Sequence, residues 1–311
     1  METVDPTVTT AIGDPLPIAM GMPSEATQKK RRLGLGAWLS IIWLALVSLS
    51  GIFAPILPIA DPNHINTDIV RKGPFDGSFL GGDGNGQDVF ARCIWGARVS
   101  LIVGVGAILF ALLIGGTLGL MAGYYRGRTD TILTSSFDIL LALPALVLAL
   151  TLIAVLSPNS LESPPTSFER LRALILTLGI VSIPVLARIT RANTLAWAQR
   201  EFVMAARAMG AKDRRIIVRE VLPNVMPAMF SIALLGVAVV IVAEGGLALL
   251  GLSVPPPSVS WGAIIATGQS NLQNEPWVVF APSAFIFLTV ISLNYLGDVV
   301  RARFDVRGSV L

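Results

Sequence analysis

Apolar residues gather into separated runs that carry no Asp, Glu, Lys or Arg, at positions 33–60, 99–125, 139–161, 173–187, 221–243 and 276–297. A helix needs roughly 20 apolar residues to cross a hydrocarbon core about 30 Å thick. The pattern therefore predicts six transmembrane helices in an all-α membrane protein. The fourth run is short and is expected to continue past Arg188, whose long side chain can reach the headgroups from a helix end. A seventh uncharged stretch, 245–274, contains Pro255, Pro256 and Pro257 and ends in Gln269, Ser270, Asn271, Gln273 and Asn274. Three consecutive prolines do not fit a regular spanning helix, so this stretch is expected at the outer membrane face.

Composition agrees with lipid as the main solvent: of 311 residues, 53% are hydrophobic and 14% charged, and the mean hydropathy is +0.72. Lys and Arg set the orientation, because cytoplasmic loops carry the positive excess. Placing the N-terminus inside puts 17 of the 23 cations on the cytoplasmic side, among them the cluster Lys29 to Arg32 and the stretch from Arg188 to Arg219. Both termini are accordingly expected in the cytoplasm. A secretory signal is the competing reading of the first run, but the polar region ahead of it is long and the run exceeds a signal core. The expected organisation is a cytoplasmic tail over 1–34, a first helix and extracytoplasmic loop over 35–98, a five-helix core over 99–297 with a cytoplasmic loop at 198–224, and a tail over 298–311.

The same residues exclude several chemistries. One histidine, His64, and one cysteine, Cys93, leave no ligand set for a transition metal, and both read as incidental loop residues. The net charge of +3 is spread over loops and points to membrane orientation, not nucleic acid. No Gly-Lys dipeptide occurs, so the chain lacks the phosphate loop through which ATP would be bound. Asp138 and Glu244 are the acidic residues closest to apolar spans, near the inner and outer face, and are candidates for a gating or interface role. Gly115, Gly119 and Gly123 share one helix face and are expected to let a neighbouring backbone approach. Pro144, Pro184, Pro223 and Pro227 are expected to kink or end their helices.

The stretch between the fourth and fifth runs carries the most specific signal. From Glu201 through Ala205, Ala206 and Ala208 it reads as a helix of good formers with a small-residue surface, broken at Gly210 and followed by a second, charged helix ending near Pro223. This is the shape of a docking element. The spacing of Glu201, Ala205, Ala206, Gly210 and Pro223 closely resembles the EAA loop of ATP-binding cassette importer permeases. Segments around Asp83 to Ser100, Gly123 to Asp130, Asp138 to Pro144, Glu244 to Gly251, Ser260 to Gly262 and Leu296 to Asp298 are similar to the dipeptide and oligopeptide branch of that family. Together they cover roughly 80–305. The chain departs from the branch at Gly82, Gln87, Ser135, Ser136 and Glu220.

The resemblance implies a type I importer permease fold in a bacterial cell membrane, with Glu201, Ala205, Ala206, Gly210, Asp213 and Pro223 forming the loop that couples to the ATPase. It further implies a homologous second permease, two ATPase subunits that hold ATP and magnesium, and an extracytoplasmic solute-binding protein, with no cofactor in this chain. Dipeptides or oligopeptides are the expected solute, with nickel or another small solute as the alternative. An ion-coupled secondary transporter would need ionisable residues at mid-membrane, and none is evident from the sequence. A membrane-embedded enzyme would need a nucleophile or metal set that the chain does not supply.

Overall fold

The computed structural model describes residues 34–157 and 164–305; the cluster Lys29 to Arg32, the expected end of the third run and the last residues lie outside them. The described residues contain ten α-helices and no strand, only one isolated bridge between Gly82 and Asp88. They are α1 (Leu35–Phe53), α2 (Val89–Tyr125), α3 (Gly127–Ala142), α4 (Ala145–Leu156), α5 (Ser167–Trp197), α6 (Glu201–Ala208), α7 (Asp213–Ile216), α8 (Leu222–Leu249), α9 (Trp261–Gly268) and α10 (Pro276–Asp305). Five continuous helical stretches are long and apolar enough to cross a membrane, and α3 with α4, meeting at 91°, adds a sixth when the bent pair is counted as one span. Six spans were expected; five are continuous helices, and the run expected as the third is a pair of helices sharply bent at Leu143–Pro144.

Each difference from the expected boundaries has a local cause. The second span starts at Val89, ten residues early, because Asp88 caps it by accepting bonds from the backbone N–H of Phe90 (2.8 Å) and Ala91 (3.2 Å). The fourth begins at a capping box, in which Thr166 and Glu169 bond each other's backbone N–H, and it runs well past Arg188 to Trp197. At the α3–α4 break, Leu143 is extended (φ −82°, ψ 134°), as a residue before proline prefers. Pro223, by contrast, does not end its helix. A π-helical turn at Ile217–Val221 joins α7 to α8, and the wider turn accommodates the carbonyl that Pro223 cannot bond. The chain is thus helical from Asp213 to Leu249.

In lipid, helices associate through close packing, not through burial of apolar surface from water. The α2–α5 pair shows how close that packing is. A Cβ added at Gly115, Gly119 or Gly123 would sit 2.6, 2.2 or 2.7 Å from the carbonyl oxygens of Ile183, Ala187 and Arg191 respectively. Four-residue steps on α2 therefore meet four-residue steps on α5. On another side of α2, Gly104 faces Ile241 and Val237 of α8. The α10 helix joins α8 through the Ser231 hydroxyl, which donates to the Gly297 carbonyl at 2.6 Å. The α1 helix lies outermost, holding α10 through the Trp43 indole and the Thr289 hydroxyl (3.1 Å) and exposing Leu39, Ile42, Leu46 and Leu49.

The connections gather at two ends. At one end lie the loop between α1 and α2, the start of α5, the proline-rich segment and α9: Trp277 donates to the Gly82 carbonyl, and the Ser167 hydroxyl donates to the Pro255 carbonyl. At the other lie α6, α7, the end of α2 and the start of α8, which share a separate apolar cluster. The start of α1 and the later part of α10 also point toward this second end, with Gly36 against the Tyr295 ring.

Candidate functional site at the α6 end

Gly210 makes the turn between α6 and α7 with φ +79°, a backbone state that side chains with a Cβ rarely adopt. No atom lies within 4 Å of the place a Cβ would occupy, so the constraint is conformational and not steric. The carbonyls ending α6 are satisfied locally: Ala211 N–H donates to Ala206 O at 3.1 Å, and Gly210 N–H to Arg207 O at 3.0 Å. Beneath the turn, Val203, Ala206, Ile216, Val221 and Val225 are buried together with Leu120 and Tyr124 of α2. The helix pair is therefore seated on the ends of two spanning helices.

A polar knot locks this seat. The Tyr124 hydroxyl donates to Asp213 Oδ1 at 2.7 Å and accepts from the Arg207 guanidinium at 3.2 Å. Arg207 also lies over the Tyr124 ring, 5.5 Å from its centre. The hydrogen bond to Tyr124 holds Arg207 above even the ordinary arginine range. Around the knot, Glu201, Phe202, Met204, Ala205, Ala208 and Met209 are exposed, Met209 to 82%. Arg200, Arg207, Lys212, Arg214, Arg215 and Arg219 of the same stretch are exposed as well.

Not every residue expected in this loop faces outward. Ala206 is only 9% exposed and faces the chain's own cluster, so the small-residue surface consists of Ala205 and Ala208. Pro223 is exposed within the first turn of α8. Tyr124 and Arg207 escaped the sequence reading, because a tyrosine ending an apolar span and an arginine in a basic loop carry no pattern of their own.

The two acidic positions occupy different places. Asp138 of α3 pairs with Arg188 of α5 at 2.5 Å, both about half exposed. About two helical turns earlier on α3, Asp130 receives a two-pronged bond from Arg191, less exposed and joined also by Thr134. These pairs tie α3 to α5 in the half nearer α6; Asp138 was expected at an interface, but its pairing with Arg188 and the Asp130–Arg191 pair carry no pattern along the chain. Glu244 lies toward the other end of α8 and is 1% exposed. It accepts the Ser260 hydroxyl at 2.7 Å, and Ser260 in turn accepts the Ala263 N–H at the start of α9. Trp261 completes the attachment, donating its N–H to Ser100 (3.1 Å) and its indole to the Cys93 carbonyl (2.8 Å). Glu244 thus pins α9 to α8, far from α6. Among the described residues no group of three or more His, Cys, Asp or Glu is placed to hold a metal ion.

The described residues thus form a bundle of long apolar helices that carries an exposed, basic helix–turn–helix loop at one end. Residues 115–308 match the family of binding-protein-dependent transport system inner membrane components, and the chain belongs to that family. It is a permease subunit of an ATP-binding cassette importer and a multi-pass protein of the bacterial inner membrane. It is 34% identical over 270 residues to the dipeptide transport system permease protein DppC of Alkalihalophilus pseudofirmus, covering 86% of this chain and 85% of the relative. It is 33% identical to the glutathione transport system permease protein GsiD of Pectobacterium atrosepticum, covering 84% and 83%. The oligopeptide transport system permease protein OppC of Bacillus subtilis is 34% identical, covering 86% and 85%. The fold also matches a chain from inward-facing MetNI methionine ABC transporter structures, with a TM-score of 0.57 at 18% identity, over 68% of this chain and 96% of that one.

Proposed function

We propose that this chain and a homologous second permease form the path by which dipeptides or short oligopeptides enter the cell, with α6 and α7 facing the cytoplasm. An extracytoplasmic solute-binding protein delivers the peptide, and two separate ATPase subunits hold ATP and magnesium and drive the cycle. The dipeptide, oligopeptide and glutathione permeases among the relatives support the solute class. The basic residues on the α6 side support the orientation, by the positive-inside rule.

The observation that carries the coupling role is the seating of α6 and α7. They expose Phe202, Met204, Ala205, Ala208 and Met209 on a stretch rich in exposed cations while their inner face is fixed to α2 and α8. An ATPase that closes on that surface moves α7. Since the helix continues from Asp213 to Leu249, the displacement reaches the far end of α8, where Glu244 holds α9. Motion of the motor is thereby delivered across the membrane along one rod.

The test compares Gly210→Val, Glu201→Ala, Ala205→Glu and Ala206→Glu, measuring dipeptide uptake in cells and co-purification of the ATPase subunits. Gly210→Val and Ala205→Glu are expected to abolish uptake and weaken ATPase capture while the chain still inserts. Glu201→Ala is expected to reduce both. Ala206→Glu buries a carboxylate in the chain's own cluster and is expected to lower the amount of folded protein. Full uptake by a Gly210→Val, Ala205→Glu double variant would refute the coupling assignment.

A further inference from the structure

The end of the bundle opposite α6 holds a cavity of about 440 Å³ that the coupling role does not use. Its volume falls within the range of about 300–1,000 Å³ typical of small-molecule sites. Four segments wall it: the loop after α1, α2, the start of α5 and the proline-rich segment before α9. Trp95, Arg98, Val99 and Ile102 follow the spacing of one helical face, so α2 presents an aromatic ring, a cation and an apolar floor in that order. Asp61 stands on the facing loop.

Three polar groups on these walls are unspent. Arg98 is exposed and makes no ion pair or hydrogen bond among the described residues. Asp61 is exposed and is engaged only through Oδ1, which accepts the Asn63 N–H at 2.8 Å. The Trp95 indole nitrogen is buried and has no acceptor among the described residues. A buried donor left unbonded costs about 1–3 kcal/mol, so an acceptor that reached it from the cavity, through a small turn of the half-buried Trp95 ring, would bind favourably. The loop carrying Asp61 is itself fixed, because the Asn63 amide donates to the Pro257 carbonyl at 2.8 Å.

We propose that this cavity binds a small zwitterion, with its ammonium on Asp61, its anionic group on Arg98, and a carbonyl or phosphoryl oxygen on the Trp95 indole. An anion alone would be repelled by Asp61, and a cation alone by Arg98. A purely apolar occupant would leave the indole donor unbonded. A short peptide has all three features, and so does a phosphatidylethanolamine headgroup. The assignment rests on the peptide-importer reading, under which this end faces the solute supply.

The experiment uses the assembled importer, without its solute-binding protein, in nanodiscs of phosphatidylglycerol alone or mixed with phosphatidylethanolamine. The probe is radiolabelled Ala-Phe, with N-acetyl-Ala-Phe-amide as the uncharged comparison. Ala-Phe is expected to bind the wild type, and the blocked form at least about tenfold more weakly, as the loss of a hydrogen bond to a charged group implies. Arg98→Gln, Asp61→Asn and Trp95→Phe are each expected to weaken Ala-Phe binding about tenfold. The first two alter exposed side chains, so they test the cavity without disturbing the core. Unchanged Ala-Phe binding when phosphatidylethanolamine is added supports a peptide occupant. Displacement that requires Arg98 supports the same zwitterion site with the lipid as its source. Equal binding of blocked and free Ala-Phe, wild-type binding by all three variants, or no Ala-Phe binding in either lipid overturns the site. Ala-Phe uptake by cells is scored separately: absent uptake with intact cavity binding sinks the peptide reading alone, and normal uptake with unaffected variant binding sinks the cavity alone.

Discussion

Replacing Gly119 by alanine sets two known effects against each other. In a helix interior, Gly→Ala gains about 0.8–1 kcal/mol of intrinsic propensity. At Gly119 the new methyl carbon would lie 2.2 Å from the Ala187 carbonyl oxygen and 2.9 Å from Thr190 Cβ. Carbon–oxygen contacts of low energy sit near about 3.3 Å, so α2 and α5 must part by roughly 1 Å. The obstructing atom is backbone and cannot rotate aside, which places the cost at the upper end of the usual 1–3 kcal/mol or so for overpacking. The net expectation is destabilisation by about 2 kcal/mol.

Gly246→Ala is the matched control, since it lies inside α8 and a Cβ there meets nothing within 4 Å. It keeps the propensity gain and is expected to stabilise by up to about 1 kcal/mol. The two variants should differ in detergent-solubilised thermal midpoint by roughly 5–10 °C, read from loss of the monodisperse peak on heating. Gly115→Ala and Gly123→Ala, with closest approaches of 2.6 and 2.7 Å, should fall between them. A Gly119→Ala midpoint within about 1 °C of Gly246→Ala would refute close α2–α5 backbone packing as the source of the bundle's stability.

Three further outcomes follow from individual contacts. Tyr124→Phe removes the hydroxyl shared by Asp213 and Arg207; uptake should fall severalfold with little change in midpoint, and tryptic cleavage at Lys212 to Arg215 should speed up, whereas unchanged cleavage would show that the knot does not hold the loop. Asp130→Asn should destabilise by about 1–3 kcal/mol by leaving Arg191 unpaired at a largely covered site, and the Asp130→Arg, Arg191→Asp double variant should regain part of that loss in the same melts. Glu244→Gln keeps an acceptor for Ser260 and should melt within about 1 kcal/mol of wild type, whereas Glu244→Leu should lose about 1–3 kcal/mol; equal losses would mean that the charge and not the hydrogen bond matters.

Hydropathy located the five continuous spans and the bent pair because each run has to meet the thickness of the hydrocarbon core. It could not locate their ends. The α5 helix continues through Arg188 and Arg191 to Trp197, and α10 continues through Asp298 and Arg301, because helices persist wherever backbone bonds and neighbouring helices support them, whatever the polarity of the side chains. Proline was legible as a perturbation but not in its degree. Pro144 produces a 91° break, whereas Pro184, Pro227 and Pro282 lie inside continuous helices. Neighbouring helices decide which freed carbonyls can be tolerated, and the sequence does not name those neighbours in advance. The glycines of α2 were legible because a four-residue spacing of the smallest residue has a single geometric use, the close approach of another backbone.

At α6 the spacing of Glu201, Ala205, Ala206 and Gly210 located the turn, yet it did not say which alanine faces outward. That depends on which side of an eight-residue helix meets the rest of the chain, and the answer lies in a second pattern. Val203 and Ala206, three apart, share a face with Ile216 and Val221 across the turn, and that face is covered by Leu120 and Tyr124. Once it turns inward, Ala205 and Ala208 turn outward beside Met204 and Met209. Two small residues adjacent in sequence thus serve opposite surfaces. Ala206 keeps α6 close to its own bundle, whereas Ala205 stays open to solvent with Ala208, so a substitution at Ala205 or Ala208 alters the outer face of α6 without entering the buried cluster that Ala206 belongs to.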